Sequence, residues 1–209
     1  MKLAVIGAGN VGQAIALAST RAGHDVVITA RTQDTAKTVA DRLHVSWAAS
    51  NGDGVRDADA VVIAVPYDSV AGVAREIAEG VAGKPVIDAT NPLLPDGSGL
   101  AVTDRSGAEV LQDAVPEAFV VKAFNTVFAG NQAEPVVDDA QLDGFYAGSN
   151  DTAKTIVAEF LSSVGYRPVD VGDLPAARAL EQMAFLNISM NIRNGWPWRS
   201  GWKLVGPIS

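Results

Sequence analysis

Cysteine is absent from these 209 residues. Disulfides, thiolate metal sites and thiol nucleophiles are excluded together. Positive charge is also scarce: 16 Lys and Arg stand against 24 Asp and Glu, a formal net charge of −8. An acidic chain repels phosphate backbones and anionic lipid, so neither nucleic acid nor a membrane is an expected partner. No apolar run nears the roughly 20 residues that cross a bilayer. Met1 and Lys2 lead straight into the main motif, so no cleaved leader is expected and the cytoplasm is the expected location. Only two histidines occur, His24 in a helix-to-strand turn and His44 at the start of a predicted strand. Neither is placed for proton transfer, and no Ser-His-Asp set or metal cluster is visible. Hydrolase chemistry has little support, and no catalytic side chain or metal ligand is assigned.

What the chain does hold is apolar residues, 48% of the total, enough for one sizeable core. Residues 2–6 read as a buried strand. Residues 10–22 read as a helix, with Val11, Ala14, Ile15, Ala18 and Ala22 at helical spacing. Further strands are predicted at 25–29, 45–48, 59–65, 85–89 and 119–124. Helices are predicted at 35–43, from a cap at Asp68 to Ala78, and near 108–114, with Asp34 capping the helix at 35–43. Two edge strands at 145–148 and 167–171 flank a helix at 152–163, and one long apolar helix spans 174–193. Strands that alternate with helices, and are apolar throughout, imply a parallel sheet covered on both faces. The expected fold is α/β: a Rossmann-type, doubly wound, mostly parallel sheet with a small C-terminal helical extension. Residues 1–172 form the nucleotide domain, and 173–209 a helix and Trp-rich tail. Trp196, Trp198 and Trp202 either anchor that tail or line a pocket for a planar ligand.

Gly7-Ala8-Gly9-Asn10-Val11-Gly12 is a G-x-G-x-x-G that directly follows a strand and opens a helix. That context makes it a dinucleotide motif. Gly7 permits the tight turn, Gly9 lets backbone approach a pyrophosphate, and Gly12 allows close helix–strand packing. Asn10 and Val11 lie at the helix N-terminus, whose N–H groups and dipole attract phosphate. An NAD site usually has an acidic residue at the end of the second strand. Here the chain reads Thr29-Ala30-Arg31-Thr32. Arg31 suits the 2′-phosphate of NADP(H), with Thr32 and Thr35 adding hydroxyls and Lys37 within reach.

Ligands on open α/β sheets bind where strands end at the carboxyl edge. Those ends carry Ala64, Val65, Pro66 and Tyr67, then Asn91, then Asn125 and Thr126. The first group is expected against the ribose and nicotinamide, where Tyr67 stacks on the ring or fills the loop. Asn91 and Asn125 orient a carboxamide or second ligand, or stabilise their turns. Asn125 and Thr126 are assigned to the redox substrate. Lys122 interrupts a buried strand and needs a partner or a purpose; a structural ion pair is favoured over an acid.

Together these segments resemble the family of NADPH-dependent coenzyme F420 reductases over nearly the whole chain. The carriers are MKLAVIGAGNVG (1–12), GHDVVITAR (23–31), AVP (64–66), DATNP (88–92), VVKAFNT (120–126) and PVDVGDLPAARALE (168–181). The resemblance implies a Rossmann domain with a small C-terminal part, NADP(H) on the carboxyl edge, and a homodimer for which the C-terminal helix could serve as interface. It also implies hydride transfer between nicotinamide C4 and C5 of the stacked deazaflavin coenzyme F420, a small-molecule redox partner. Archaeal members are expected to carry a histidine in the segment matching 123–126, where this chain has Asn125. A flavin, a quinone, an imine or a metal chelate therefore stays open as the hydride partner, as does a non-catalytic NADP(H)-sensing role. The AFNT segment is also similar to the NADPH domains of membrane ferric reductases.

Overall fold

The computed structural model describes residues 1–206. The first two-thirds of the chain alternate strand and helix as the apolar runs demand. The elements are β1 (Lys2–Ile6), α1 (Asn10–Arg21), β2 (Asp25–Thr29), α2 (Gln33–Leu43), β3 (Ser46–Trp47) and α3 (Asn51–Val55). They continue with β4 (Ala60–Ile63), α4 (Tyr67–Ile77), β5 (Pro85–Asp88), α5 (Gly107–Ala114) and β6 (Phe119–Lys122). A short helix α6 (Ala129–Gln132) and a small hairpin, β7 (Val136–Val137) with β8 (Ala140–Gln141), follow. The chain ends with β9 (Asp143–Gly148), α7 (Asp151–Ser163), β10 (Arg167–Asp170), a 3-10 turn at Leu174–Ala176 and α8 (Ala177–Asn194).

The main sheet runs β10-β9-β6-β5-β4-β1-β2-β3. β1 to β6 are parallel. β9 pairs antiparallel with β6, and β10 runs parallel to β9. This is the Rossmann-type α/β sheet, with its switch point between β1 and β4. The pleat explains the uninterrupted apolar strands. Leu3 and Val5 of β1 face the core under α1, α2 and α7, while Ala4 and Ile6 face the core under α4, α5 and α8. Successive side chains point to opposite faces, so a strand covered on both sides has no polar positions to spare.

Several local expectations differ from the structure for identifiable reasons. β9 is not an edge strand, because β10 continues the sheet beyond it. Thr32, not Asp34, caps α2, its hydroxyl accepting from the Thr35 N–H at 3.3 Å. His44 ends α2 in the left-handed conformation rather than opening a strand. Asp68 lies in the first turn of α4 and makes no cap; Pro66 holds that position. Pro175 sits in the first turn of a separate 3-10 element that leads into α8, so the predicted 174–193 helix is two elements.

α8 lies against α5 and the sheet. Ser106 and Glu109 form a reciprocal capping box at the start of α5. The same Glu109 carboxylate takes two bonds from Arg178 of α8, each 2.9 Å. Beyond Gly195 the tail folds back. Asn131 donates to the Arg199 carbonyl, the Asp143 N–H donates to that of Trp202, and Trp198 packs edge-on against Phe128 at 5.2 Å. The described tail thus anchors itself on the body, while 207–209, the end of the expected second domain, lie outside the described residues. Among the described residues no helix is long and apolar enough to cross a membrane.

Arg178, then the Ser106 bonds, hold the Glu109 carboxyl down to about 2. Its unfolded value is about 4.3. The clamp therefore stabilises fully above that value and is lost as pH falls from about 4.3 towards 2. Wild type should exceed Glu109→Gln in Tm above pH 5, and the two melting curves should converge near pH 2. The gap should be on the order of 1 kcal/mol, because half-exposed Arg178 leaves the pair partly screened.

Candidate functional site

The loop between β1 and α1 contains two kinds of glycine. Gly7 has φ +111°, the left-handed side that glycine favours, and its N–H bonds to the Thr29 carbonyl at 3.0 Å. A Cβ there would overlap the Ala64 carbonyl, and a Cβ on Gly12 would overlap that of Gly7. Both are required by the fold. Gly9 is not: its φ of −77° and ψ of −176° suit any residue, and a Cβ would meet nothing within 4 Å. Its missing side chain leaves the start of α1 open. No side chain caps that helix and its first turn has no acidic residue, so the N–H groups and dipole of Asn10 and Val11 are suited to an anion.

At the end of β2, Arg31, Thr32 and Thr35 are all exposed on one side of this loop. The two threonine hydroxyls bond each other at 2.8 Å while Thr32 also caps α2. The end of β4 lies on the other side of the loop. Ala64 N–H bonds to the Ile6 carbonyl at 2.8 Å, and Val65, Pro66 and Tyr67 follow. The Tyr67 ring fills space beside Gly107 at the start of α5, where a Cβ would come within 2.9 Å of it. Burial, then the Glu181 and Asp88 carboxylates, push its hydroxyl above the usual tyrosine range.

Under that tyrosine sits a buried ion cluster. The Lys122 ammonium donates to Asp88 Oδ2 at 2.9 Å, Glu181 Oε1 at 2.8 Å and the Thr90 carbonyl at 2.7 Å. All three charged side chains are at most 1% exposed. Glu181 also accepts from the Gly107 N–H, at 2.9 Å to Oε1 and 3.1 Å to Oε2. Burial opposes the ammonium, but the two carboxylates outweigh it and hold Lys122 charged. Burial, with the neighbouring Asp88 carboxylate adding to it, pushes the Glu181 carboxyl up, as expected when two acids share one cation. Lys122 is thus the structural ion pair expected of it, enlarged by a second acid that the sequence reading missed. Its signal was available: Glu181 interrupts an apolar helix as Lys122 interrupts an apolar strand.

Asn91 and Asn125 pair face to face. Asn91 Nδ2 donates to the Asn125 carbonyl at 3.0 Å, and Asn125 Nδ2 donates to Asn91 Oδ1 at 2.9 Å and to the Leu180 carbonyl at 3.1 Å. Two acceptors flank Nδ2, which fixes the orientation of the Asn125 amide. Its Oδ1 and the buried Thr126 hydroxyl have no partner among the described residues. Beside them lies a cavity of about 110 Å³ lined by Val11, Asn91, Asn125, Thr126, Ala184 and Ile188. The structure therefore gathers four predicted site residues around one hollow, with the glycine loop, Ala64 to Tyr67 and Arg31 along the same edge. The lining supplies amides, one hydroxyl and apolar surface. Such a lining can orient the polar edge of a flat ligand.

Comparison with known proteins agrees with this geometry. Residues 2–92 match the family described as NADP oxidoreductase, coenzyme F420-dependent. The F420-dependent NADP reductase of Methanothermobacter thermautotrophicus is 32% identical, over 93% of this chain and 90% of its own. A solved Arthrobacter sp. protein assigned as an F420-dependent NADP reductase is 30% identical, with a TM-score of 0.89 over 99% of this chain and all of its own. The metalloreductase STEAP3 of Rattus norvegicus is 28% identical over 86% of this chain, which spans only 36% of that protein.

The two kinds of glycine separate experimentally. Gly9→Ala should leave Tm unchanged but weaken NADPH binding at least about tenfold, some 1.4 kcal/mol. Gly12→Ala should lower Tm by several degrees, since a backbone oxygen occupies the place of its Cβ. Thermal melts and fluorescence titration on the two variants check both halves.

Proposed function

We propose that this chain, which belongs to the family of F420-dependent NADP reductases, is an NADP(H)-dependent oxidoreductase that exchanges hydride with the deazaflavin coenzyme F420. The observation that carries the proposal is the position of Val11. It stands at the start of the open helix α1 and also lines the Asn91, Asn125 and Thr126 cavity, so a dinucleotide on the loop would lay its reactive end beside that hollow. The cofactors supply the chemistry: hydride passes between nicotinamide C4 and deazaflavin C5, and a proton joins the reduced deazaflavin.

The residues of the chain bind and orient. Gly9 leaves room for the pyrophosphate, and the first N–H groups of α1 at Asn10 and Val11 receive it, with Gly7 and Gly12 shaping the turn. Arg31 forks onto the 2′-phosphate, aided by Thr32 and Thr35. Ala64, Val65, Pro66 and Tyr67 line the ribose and nicotinamide side, and Asn91 stands at its far end. Asn125 and Thr126 face the second ring, and Val127, Phe128, Ala184 and Ile188 keep water from it. No acid–base side chain is assigned, because hydride transfer between two held rings is chiefly a matter of positioning.

Residues 1–172 carry the nucleotide, and α8 of the C-terminal part supplies a wall of the second-substrate side through Ala184 and Ile188. α8 also presents Leu186 and Ile192, 51% and 62% exposed, in support of a homodimer through this helix. Leu186→Glu with Ile192→Glu should then turn a dimer into a monomer in sedimentation.

NADPH oxidation against coenzyme F420, FMN, a quinone, a cyclic imine and a ferric chelate tests the function. Turnover with F420 well above the others is expected. Turnover confined to another acceptor would replace F420, and tight binding without turnover would mean an NADP(H) sensor. In the same assay Arg31→Ala should weaken NADPH by about 1.5–3 kcal/mol, as for a bond to a charged group, and leave NADH nearly unchanged. Equal losses for both would remove Arg31 from the 2′-phosphate.

A further inference from the structure

Phe124, one residue before Asn125, has φ +67°. A bulky, buried side chain rarely adopts this left-handed backbone, and it persists only where the surroundings over-determine it. The surroundings here are specific. The Phe124 ring packs against Phe160 at 5.5 Å and edge-on against Tyr166 at 5.6 Å. Its carbonyl accepts from Gln132 Nε2 at 2.8 Å and from the Val127 N–H at 3.2 Å. The same Nε2 donates to the Val127 carbonyl at 2.9 Å, and Gln132 Oε1 accepts from the Tyr166 hydroxyl at 2.6 Å. Gln132 and Tyr166 are both fully buried. One amide group thus closes the turn 124–127 from both ends.

That turn carries Asn125 and Thr126. The left-handed step at Phe124 takes the chain out of the β6 direction and sets the Asn125 amide between Asn91 and the Leu180 carbonyl of α8. Gln132 itself is the last residue of α6, which packs on α1. It therefore links the turn of the second substrate to the helix that opens the nucleotide site.

We infer that Gln132 is a positioning residue for the reaction, holding the Phe124 turn so that Asn125 and Thr126 meet the hydride acceptor at a fixed height above the nucleotide. This rests on the proposal that those two residues face the acceptor. Gln132 touches neither cofactor; it acts through backbone. Tyr166 is expected to matter less, because losing its hydroxyl leaves both Gln132 donor bonds intact.

Three variants test this: Gln132→Met, the isosteric Gln132→Glu, and Tyr166→Phe. Gln132→Glu keeps the shape of the side chain but has at most one proton to donate where the amide has two, so at least one of the two bonds is lost, and it serves if Gln132→Met does not fold. Both Gln132 variants should raise KM for F420 at least about tenfold, with NADPH Kd held within about twofold. Tyr166→Phe should lower Tm to a similar extent yet keep KM within about threefold. A second measurement needs no turnover. The side-chain amide signals of Asn91 and Asn125 in NMR spectra should shift in both Gln132 variants and stay in place in Tyr166→Phe. A KM that simply tracks Tm across the three variants, an NADPH Kd that rises in step with KM, or unmoved asparagine signals would overturn the inference. A wild type inactive with F420, with the asparagine signals still shifted in the Gln132 variants, would overturn the acceptor assignment alone.

Discussion

Lys122, Asp88 and Glu181 meet with no access to water, and the carboxyl edge of the sheet is organised around that meeting. A single ammonium on β6 bonds to β5 through Asp88, to the following turn through the Thr90 carbonyl, and to α8 through Glu181. Glu181 in turn holds the first N–H of α5. Four elements, β5, β6, α5 and α8, are thus tied together through one cluster. Burying three charges is expensive, and such a cluster is weak evidence for net stability. Its force lies in what its loss would expose. Removing the ammonium would strand two carboxylates in an apolar interior, a penalty of about 3–5 kcal/mol by comparison with broken buried pairs. The cluster thus behaves as a specifier of geometry. α8 has one place to sit, and the cavity wall formed by Ala184 and Ile188 follows from it.

The edge above this cluster divides its work between fold and ligand. Gly7 and Gly12 answer to backbone overlap inside the protein, so any protein with this tight β1-to-α1 turn would need them. Gly9 answers to nothing inside the protein. Thr32 shows the same division within one side chain, since its hydroxyl caps α2 while lying beside Arg31. Asn91 and Asn125 spend amide hydrogens on each other and on backbone, while Asn125 Oδ1 and the Thr126 hydroxyl have no partner among the described residues. Groups that the fold leaves unsatisfied are the ones with capacity for a ligand.

How much could be read in the sequence follows from the range of each signal. β1, α1 and β2 announce themselves by local periodicity and by glycines at fixed offsets, and the structure places them within a residue of expectation. The edge residues Ala64, Asn91 and Asn125 follow from topology alone, because parallel strands all end on one side. α3, α6 and the β7–β8 hairpin do not appear, since four or five residues are too few for a period to show. The Lys122 partners were half legible: a charge in an apolar strand demands a counter-ion, yet nothing local says which acid. Gln132 was not legible. Its role depends on a left-handed Phe124 and a tyrosine 34 residues later, and neither leaves a pattern.

Hydride transfer between two stacked rings asks a protein for distance and angle rather than for a proton. That requirement explains why the rigid parts of this site are buried polar contacts and its open parts are nearly featureless. The ion cluster sets α8 against β5 and β6, and the Gln132 bonds set the Asn125 turn against α6 and α1. Between them the Asn91–Asn125 pair joins both frames, since Asn125 reaches α8 through the Leu180 carbonyl and Asn91 follows β5. A displacement in either frame would therefore reach the same two amides. The glycine loop ahead of α1 has its own contacts as well, the Gly7 bond to Thr29 and the packing of Gly12. On the proposed assignment the glycine turn and the Asn125 turn thus rest on largely different contacts and meet through α1, so substitution at Gly9 or at Gln132 should act mainly on one of the two bound rings.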